Sequence, residues 1–178
     1  MPERNLIQNI AEKHYTWKYL SPLGHMTMAS DGRYITGLWF DNQKHYASTL
    51  SEHTEERYIP VFKDTEQWLD LYFSGCRPDF TPPLRLIGSE YRTAVWKAIE
   101  SIPYGQITTY KTIADNMNQI KTAKKTSPRA VGGAIAHNPI SIIIPCHRVI
   151  GSNGSMTGYA GGTEIKKQLL KLENIQHR

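Results

Sequence analysis

The stretch SPRAVGGAIAHNPISIIIPCHRVI, residues 127–150, decides how the second half of the chain folds. Ser127 followed by Pro128 predicts the start of a helix. The serine hydroxyl can cap free backbone N–H groups, and a proline at the first helical position loses no hydrogen bond. We expect this helix to run from Pro128 to about Ala136.

Two adjacent glycines, Gly132 and Gly133, lie inside this helix, and each costs roughly 1 kcal/mol relative to alanine. Close approach to another body would explain them. A helix with so small a surface could sit in a narrow groove, and Arg129 in its first turn could push into a stack of bases. Packing of the helix against another helix within the domain is an equally good explanation from these residues alone.

The isoleucine-rich run 140–144 is typical of a buried strand, which Pro145 would end. Cys146 and His147 follow directly. A thiolate is the reactive form of cysteine, and a neighbouring imidazole can take the proton. Adjacent residues of a strand point to opposite faces, so we expect the pair to lie in a turn or to be linked by a water. A core cysteine that is next to a histidine by coincidence is the alternative.

The whole chain has 178 residues, enough to bury one good core, or two small cores that share an interface. It has no apolar run long enough for a membrane span and no apolar leader, so we expect a cytoplasmic protein. Cys76 and Cys146 should then be free thiols. The net charge of +5 is compatible with a polyanionic partner. Four cations form a local cluster, with a solvated loop as the alternative: Lys121, Lys124, Lys125 and Arg129.

The first part of the chain reads as a small α/β unit without any catalytic pattern. Extended runs at 15–19, 25–29 and 34–40 predict strands, the last two joined as a hairpin. A helix capped by Asp64 or Thr65 should end at Ser74-Gly75. The proline-rich stretch 78–83 then predicts a boundary between two domains, residues 1–84 and 85–178.

The second part reads as mostly helical. Ser89 should cap one helix, Thr108 or Thr109 should cap a shorter one, and the helix at 128–136 completes a helix-turn-helix with an unusually long connection. A last helix is expected from Thr163 to about Glu173. A carboxylate in its last turn opposes the helix dipole, so Glu173 needs a partner unless the helix end is frayed and solvated.

The string Ile-Pro-Cys-His-Arg-Val-Ile, residues 144–150, resembles the active-site signature of the O6-alkylguanine-DNA alkyltransferases. The similarity extends in order over about residues 85–174. Residues 129–134 resemble the family's recognition helix and residues 138–139 its hinge. Residues 158–162 resemble the family's substrate loop, and residues 102–110 the approach to its DNA-binding motif. The resemblance implies a ribonuclease-H-like α/β domain followed by a helical domain with a winged-helix-like helix-turn-helix, an α+β fold.

The resemblance also implies roles for four residues. Cys146 would attack the alkyl carbon and keep the alkyl group as a thioether, so that one protein repairs one lesion. His147 would be the general base, acting through a water, and Glu173 the carboxylate that orients it. Tyr110 would donate its hydroxyl to the guanine ring and help it leave. A packed core tyrosine is the alternative for Tyr110.

Further residues would bind the substrate. Arg129 would enter through the minor groove and take the place of a flipped base. Asn138 would tie the recognition helix to the active-site turn. The family pattern also assigns a group of residues to the base pocket, its mouth and the thin helix: Val149, Tyr159, Ala160, Ser141, Gly132 and Gly133.

The implied partner is double-stranded DNA that carries O6-alkylguanine and, by resemblance, O4-methylthymine. No cofactor, no metal and no membrane are expected, and we expect a monomer. Three departures from the family pattern stand out. The connection 117–126 is longer and richer in lysine, Ser141 and Gly161 are small where some relatives carry bulkier residues, and Asn174 replaces a glycine in a left-handed cap position.

Three alternatives compete with alkyl transfer. A protein that only binds alkylated bases would lack the cysteine, so Cys146 argues against it. A transcriptional regulator would need a second methyl-accepting or sensing domain, and residues 1–84 carry only Cys76. A cysteine hydrolase would need an oxyanion-stabilising loop, for which the sequence has no clear candidate, and it would leave Arg129 unexplained.

Overall fold

The computed structural model of the chain describes residues 13–120 and 125–174. Two residues of the predicted cationic cluster, Lys121 and Lys124, lie outside the described residues. So do the start of the first predicted domain and the last residues of the second. Within those residues, every helix is too short or too polar to cross a bilayer.

A four-stranded sheet makes up the first part of the molecule. Its strands are β1 (His14–Ser21), β2 (Gly24–Ser30), β3 (Ile35–Phe40) and β4 (Thr54–Glu56), in the spatial order β3-β2-β1-β4. The pairs β1–β2 and β2–β3 are antiparallel, which confirms the three predicted strands and the hairpin. The short β4 pairs with β1 in parallel. It was not predicted, because three residues carry too little alternation.

Helix α1 (Pro60–Phe73) packs on this sheet. The prediction that Asp64 or Thr65 caps it was wrong, because the helix begins at Pro60 directly after the extended Ile59. Proline fits the first helical position without losing a hydrogen bond. Thr65 is buried inside the helix and donates its hydroxyl to a backbone carbonyl one turn earlier. The predicted end at Ser74 is confirmed.

Among the described residues the second part holds four helices, whose predicted starts are confirmed. They are α2 (Glu90–Glu100), α3 (Tyr110–Gln119), α4 (Pro128–Ala136) and α5 (Thr163–Leu172). The side chains of three N-cap residues accept backbone N–H groups as expected from their hydroxyls: Ser89, Thr109 and Ser127. Helices α3 and α4 pack on each other, and both contact α2. The α+β fold class is therefore confirmed.

The prediction of a strand at 140–144 was wrong. Only Ile140 forms a bridge, with Leu38 in β3, and residues 141–143 form a turn. Ile142 has a positive φ of 71°, which is strained for a β-branched residue. Apolar composition marked this run as buried, and it is buried. It is a turn because local bonds satisfy its backbone, including one from the N–H of Ile144 to the carbonyl of Ile140 at 3.1 Å.

This turn joins the two parts of the molecule. Leu38 in β3 donates its N–H to the carbonyl of Pro139, and its own carbonyl accepts the N–H of Ser141, both at 2.8 Å. Nearby, the N–H of Lys44 bonds the carbonyl of Ala160 at 3.1 Å. The sheet therefore supports the segment that leads to Cys146.

Candidate active site

Cys146 opens a single 3-10 turn, Cys146–Arg148, followed by the two-residue strand β6 (Val149–Ile150). Strand β6 pairs in parallel with β5 (Thr108–Thr109), directly before α3. The expectation that cysteine and histidine lie in a turn is confirmed. Only 3% of Cys146 is exposed, so its sulfur is enclosed in this structure.

Asn138 connects helix α4 to this turn. Its side-chain amide donates to the carbonyl of Ile144 at 2.9 Å and to the Sγ of Cys146 at 3.1 Å, while its Oδ1 accepts the N–H of Ile140 at 3.0 Å. Its backbone N–H bonds the last turn of α4. One buried amide thus holds the helix end, the isoleucine turn and the sulfur in a fixed relation.

Burial raises the pKa of the Cys146 thiol, and the hydrogen bond from Asn138 and the charge of Lys166 oppose that shift. Lys166 lies in α5, is completely buried, and donates its Nζ to the carbonyl of Val149 at 2.5 Å. Burial lowers the pKa of this amine to about 8. The resting cysteine is therefore a thiol, which needs a base before it can act as a nucleophile.

His147 and Glu173 form a fully enclosed pair. The distance from Nε2 of His147 to Oε1 of Glu173 is 2.7 Å. An ionised carboxylate can only accept, so Nε2 carries the proton and Nδ1 presents its lone pair. Nδ1 has no partner among the described residues. Burial lowers the pKa of His147, with Glu173 opposing, so the imidazole is neutral and free to accept a proton there.

Five hydrogen bonds converge on the carboxylate of Glu173. Oε1 accepts from His147, from the hydroxyl of Tyr72 at 2.7 Å and from a terminal guanidinium nitrogen of Arg148 at 3.0 Å. Oε2 accepts from Nε of Arg148 at 2.9 Å and from the N–H of Gly105 at 3.0 Å. Burial alone would raise the pKa of Glu173, but the bonds from His147 and Arg148 outweigh it and hold this pKa at about 2.

The sequence predictions missed four buried polar residues near the site: Arg148, Lys166, Tyr72 and Gln43, the last described below with Ser141. Arg148 lies inside the quoted motif, and its place two residues after the cysteine was the available signal. Lys166 stands at i+3 before Leu169, so a lysine bordering the apolar stripe of α5 was a second signal. Tyr72 lies on the apolar face of α1 and was read as core. Its bond to Glu173 shows that the first domain, in which the sequence has no catalytic pattern, contributes a side chain to the site.

Helix α4 presents a small and exposed surface. Arg129, Ala130 and Gly133 are exposed, and a side chain at Gly133 would meet open space. Internal packing therefore does not explain Gly133. Gly132 instead faces the ring of Tyr110, where an added Cβ would make an ordinary contact at 3.7 Å. The opposite face of α4 is anchored by Trp96, whose indole N–H donates to the carbonyl of Ala134 at 2.9 Å.

Tyr110 lies between α4 and the loop 151–162 that precedes α5. Its hydroxyl donates to the carbonyl of Thr157 at 2.9 Å. Gly158 has a positive φ of 90°, and a Cβ there would come within 2.7 Å of that hydroxyl. The pKa of Tyr110 is raised to about 12, mainly by burial and to a smaller extent by the charge of the nearby Cys146. Tyr110 therefore keeps its proton at neutral pH and can act as a donor.

Tyr159 and Ser141 lie on the side of the turn that faces the sheet. Tyr159 is 7% exposed, and its ring lies 6.5 Å from that of His147. Ser141, expected at the pocket mouth, is 1% exposed and donates its hydroxyl to Oε1 of Gln43 at 2.9 Å. Gln43 comes from the first part of the chain and was not predicted.

The structure therefore gathers most of the predicted site residues around one turn. Cys146, His147, Glu173 and Asn138 form a bonded group, with Val149 and Tyr159 beside it. Tyr110 bridges to α4, whose exposed face carries Arg129. The left-handed backbone expected at Asn174, directly after Glu173, is confirmed by a φ of 59°.

Cys146 is followed by a buried histidine–carboxylate pair, and the Asn138 amide connects it to the exposed helix α4, which packs on α3. This arrangement is that of a protein with a nucleophilic cysteine and a helical binding surface. The comparisons with known proteins identify the family. Residues 14–86 match the ribonuclease-like domain, and residues 90–175 match the DNA binding domain, of 6-O-methylguanine DNA methyltransferase. The chain belongs to this family.

Similar full-length proteins agree. A methylated-DNA–protein-cysteine methyltransferase from Haemophilus influenzae is 39% identical over 92% of this chain and 88% of its own length. One from Methanosarcina barkeri is 41% identical over 86% and 92%. The crystal structure of Mycobacterium tuberculosis OGT in complex with DNA superposes on this chain with a TM-score of 0.77. Its sequence is 38% identical, and the match covers 89% of this chain and 92% of the OGT chain.

Proposed function

We propose that this protein repairs DNA by direct reversal, moving the alkyl group of an O6-alkylguanine onto the sulfur of Cys146. The observation that carries the proposal is the Cys146 turn itself. A thiol bonded by Asn138 is followed by a buried imidazole whose Nε2 is engaged by Glu173 and whose Nδ1 is available. The names of the similar proteins, which are methylated-DNA–protein-cysteine methyltransferases, support the same chemistry.

In the proposed step, His147 takes the thiol proton at Nδ1, through a water. The thiolate electron pair attacks the alkyl carbon and forms an S–C bond, while the bond from that carbon to O6 of guanine breaks. The bond's electrons stay on the guanine, and Tyr110 donates a proton to the ring, which neutralises it. The proton that His147 took from the thiol then returns to the Tyr110 oxygen through solvent, so both side chains end in their starting states. The product is unmodified guanine and a thioether, which water does not readily hydrolyse, so each protein acts once.

Two structural features support this division of labour. Glu173 stays ionised because its pKa is held at about 2, so it stabilises His147 when the imidazole gains the proton. Tyr110 stays protonated because its pKa is raised to about 12. Its hydroxyl now bonds Thr157, so we propose that the entering base exchanges for that carbonyl as the partner of Tyr110.

We propose that helix α4 binds the duplex from the minor groove and that Arg129 fills the space left by a flipped base. Its exposed face offers a small surface at Ala130 and Gly133 with a cation at its first turn. Such a face suits a narrow groove, and extruding a base costs only a few kcal/mol when its pairing is already damaged. Lys125, exposed just before α4, is placed to contact phosphate.

The remaining aspects of the proposal concern the whole chain. We also propose that the protein acts as a monomer. Free thiols at both cysteines suit a reducing compartment, and we propose the cytoplasm. We propose that the chain divides into two domains, residues 1–84 and 85–178. The long connection between α1 and α2, which contains residues 84 and 85, supports this boundary. Acceptance of O4-methylthymine remains part of the proposal.

The decisive experiment measures the intact mass of the protein after incubation with duplex DNA that carries one O6-methylguanine. We expect a gain of one methylene unit, mapped to the peptide that contains Cys146. The Cys146→Ser variant should gain nothing. Cys76→Ser is the matched control, because Cys76 is the other free thiol and is exposed, and it should gain the same mass as the unchanged protein.

An unchanged mass with tight binding of the DNA would contradict the proposal and make the protein a recognition module. A mass gain at Cys76 instead of Cys146 would contradict the assignment of the nucleophile.

A further inference from the structure

Tyr72 is a completely buried residue of helix α1 whose hydroxyl reaches the histidine–carboxylate pair of the second domain. Its ring stacks on Trp68, with centroids 5.4 Å apart and an interplanar angle of 8°, and it meets the His147 ring edge-on at 6.3 Å. These contacts hold the phenol in one orientation. Tyr72 is therefore a rigid donor that the sheet domain inserts into the site.

The direction of the hydrogen bond follows from the protonation states. Burial and the Glu173 carboxylate raise the pKa of Tyr72 far above its ordinary value, so the phenol keeps its proton. Glu173 is ionised and can only accept. Tyr72 thus donates to Oε1, the same oxygen that accepts Nε2–H of His147, and the two donor atoms lie 3.3 Å apart.

We propose that Tyr72 is a positioning residue for alkyl transfer: its hydroxyl, shared with His147 on Oε1 of Glu173, orients the carboxylate and lowers the basicity of His147. The role of Tyr72 in alkyl transfer rests on the proposed function. The effect on His147 itself is a property of the protein without DNA.

The physical reason is competition for one oxygen. A carboxylate oxygen that already accepts a strong hydrogen bond attracts a neighbouring imidazolium less than a free one does. With Tyr72 in place, protonated His147 gains less from Glu173. The imidazole is then neutral before the reaction, and it releases the proton it has taken more readily.

Other groups around His147 act on the same equilibrium but leave the role of Tyr72 distinct. Arg148 and Lys166 are cations that also lower the pKa of His147. The effect of the Tyr72 phenol on His147 can be measured apart from the effects of these cations, because removing the hydroxyl changes no formal charge. The titratable and charged groups that face His147 come from α1, the turn, the loop before α5 and α5: Tyr72, Cys146, Arg148, Tyr159, Lys166 and Glu173.

The test uses Tyr72→Phe, which keeps the ring and removes only the hydroxyl. We expect the pKa of His147, followed by the ¹⁵N chemical shifts of its imidazole in the protein without DNA, to rise by about half to one unit. The single-turnover rate of transfer from O6-methylguanine DNA should show the same upward shift of its acid limb, on the order of a three- to tenfold lower rate at a given pH on that limb.

A second variant makes the test directional. Tyr72→3-fluorotyrosine has a more acidic phenol and is a stronger donor, so it should move the His147 titration to lower pH. The matched control is Tyr19→Phe. It removes a tyrosine–carboxylate bond of 2.8 Å to Asp70 on the same helix, away from the site, and should leave the titration unchanged.

Equal His147 titrations in Tyr72→Phe and the unchanged protein, including no titration in either, would overturn the proposal. So would a rate that falls by the same factor at every pH, because a purely structural loss does that. If the unchanged protein transfers no alkyl group, the proposed function fails, while the ¹⁵N titration still decides the role of Tyr72.

Discussion

Replacing Glu173 by glutamine tests the central electrostatic feature of the site. Two donors of the carboxylate, the Arg148 guanidinium and the Gly105 N–H, cannot reverse their direction. A glutamine amide placed with its NH₂ toward the former Oε1 faces one guanidinium nitrogen. Turned the other way, the NH₂ faces both Nε of Arg148 and the N–H of Gly105. Either rotamer leaves a buried donor without an acceptor and Arg148 without its counter-charge.

Two routes give the same magnitude. Removing one partner of a buried ion pair costs about 3–5 kcal/mol. Independently, the pKa of Glu173 falls from an ordinary 4.5 to about 2 on folding, which corresponds to about 3 kcal/mol of stability. Because the folded pKa is the lower one, this stability is present above the unfolded pKa and is lost as pH falls toward 2. We therefore expect Glu173→Gln to lower the free energy of unfolding by about 3 kcal/mol near neutral pH.

The assay is urea-induced unfolding of both proteins in a series of buffers from neutral to acid pH. The difference between them should shrink as the pH falls below about 4.5, where the unchanged carboxyl loses its advantage. Glu164→Gln is the matched control, since this exposed residue of α5, the helix that ends just before Glu173, pairs with Lys167 at the surface. It should cost less than about 0.5 kcal/mol. A loss as small in Glu173→Gln, or a difference that does not depend on pH, would refute the reasoning.

Three further predictions follow from the packing around the turn. Asn138→Ala should lower the free energy of unfolding by about 2 kcal/mol or more, because several buried groups lose their partner, and urea unfolding measures this. Gly133→Ala should stabilise the free protein by about 0.5–1 kcal/mol, since its Cβ meets open space. The same variant should bind DNA more weakly in fluorescence anisotropy; unchanged binding would remove α4 from the interface. Lys166→Met should raise the pKa of Cys146 further, so iodoacetamide should alkylate that thiol more slowly at a given pH in a Cys76→Ser background. An equal rate would show that the amine does not act on the sulfur.

Local sequence determined the helices of the second domain and the reactive turn. Ser89, Thr109 and Ser127 set helix starts because capping needs only a hydroxyl and the next three residues. The order Pro145-Cys146-His147 placed a nucleophile beside a base, and the need for a partner at Glu173 followed from its position in the last turn of a helix. These inferences depend on neighbours in the chain, which a sequence displays directly.

Only the tertiary structure decided how the site is completed. The isoleucine run 140–144 looked like a strand because burial and strand formation favour the same residues, and the bonds at Leu38 and Asn138 make it a turn instead. Gly132 and Gly133 looked alike in sequence, yet one packs on Tyr110 and the other faces outward.

The convergence on Glu173 was equally invisible in the sequence. Tyr72 lies 101 positions from Glu173 along the chain, and Arg148 lies 25 positions away. A buried tyrosine on an apolar helix face has the same sequence pattern whether its hydroxyl reaches a carboxylate or not. Short-range patterns fix where each element begins and which of its faces is buried. Contacts between distant elements depend on how those elements pack. It is this packing that brings Tyr72 of the sheet domain into contact with Glu173.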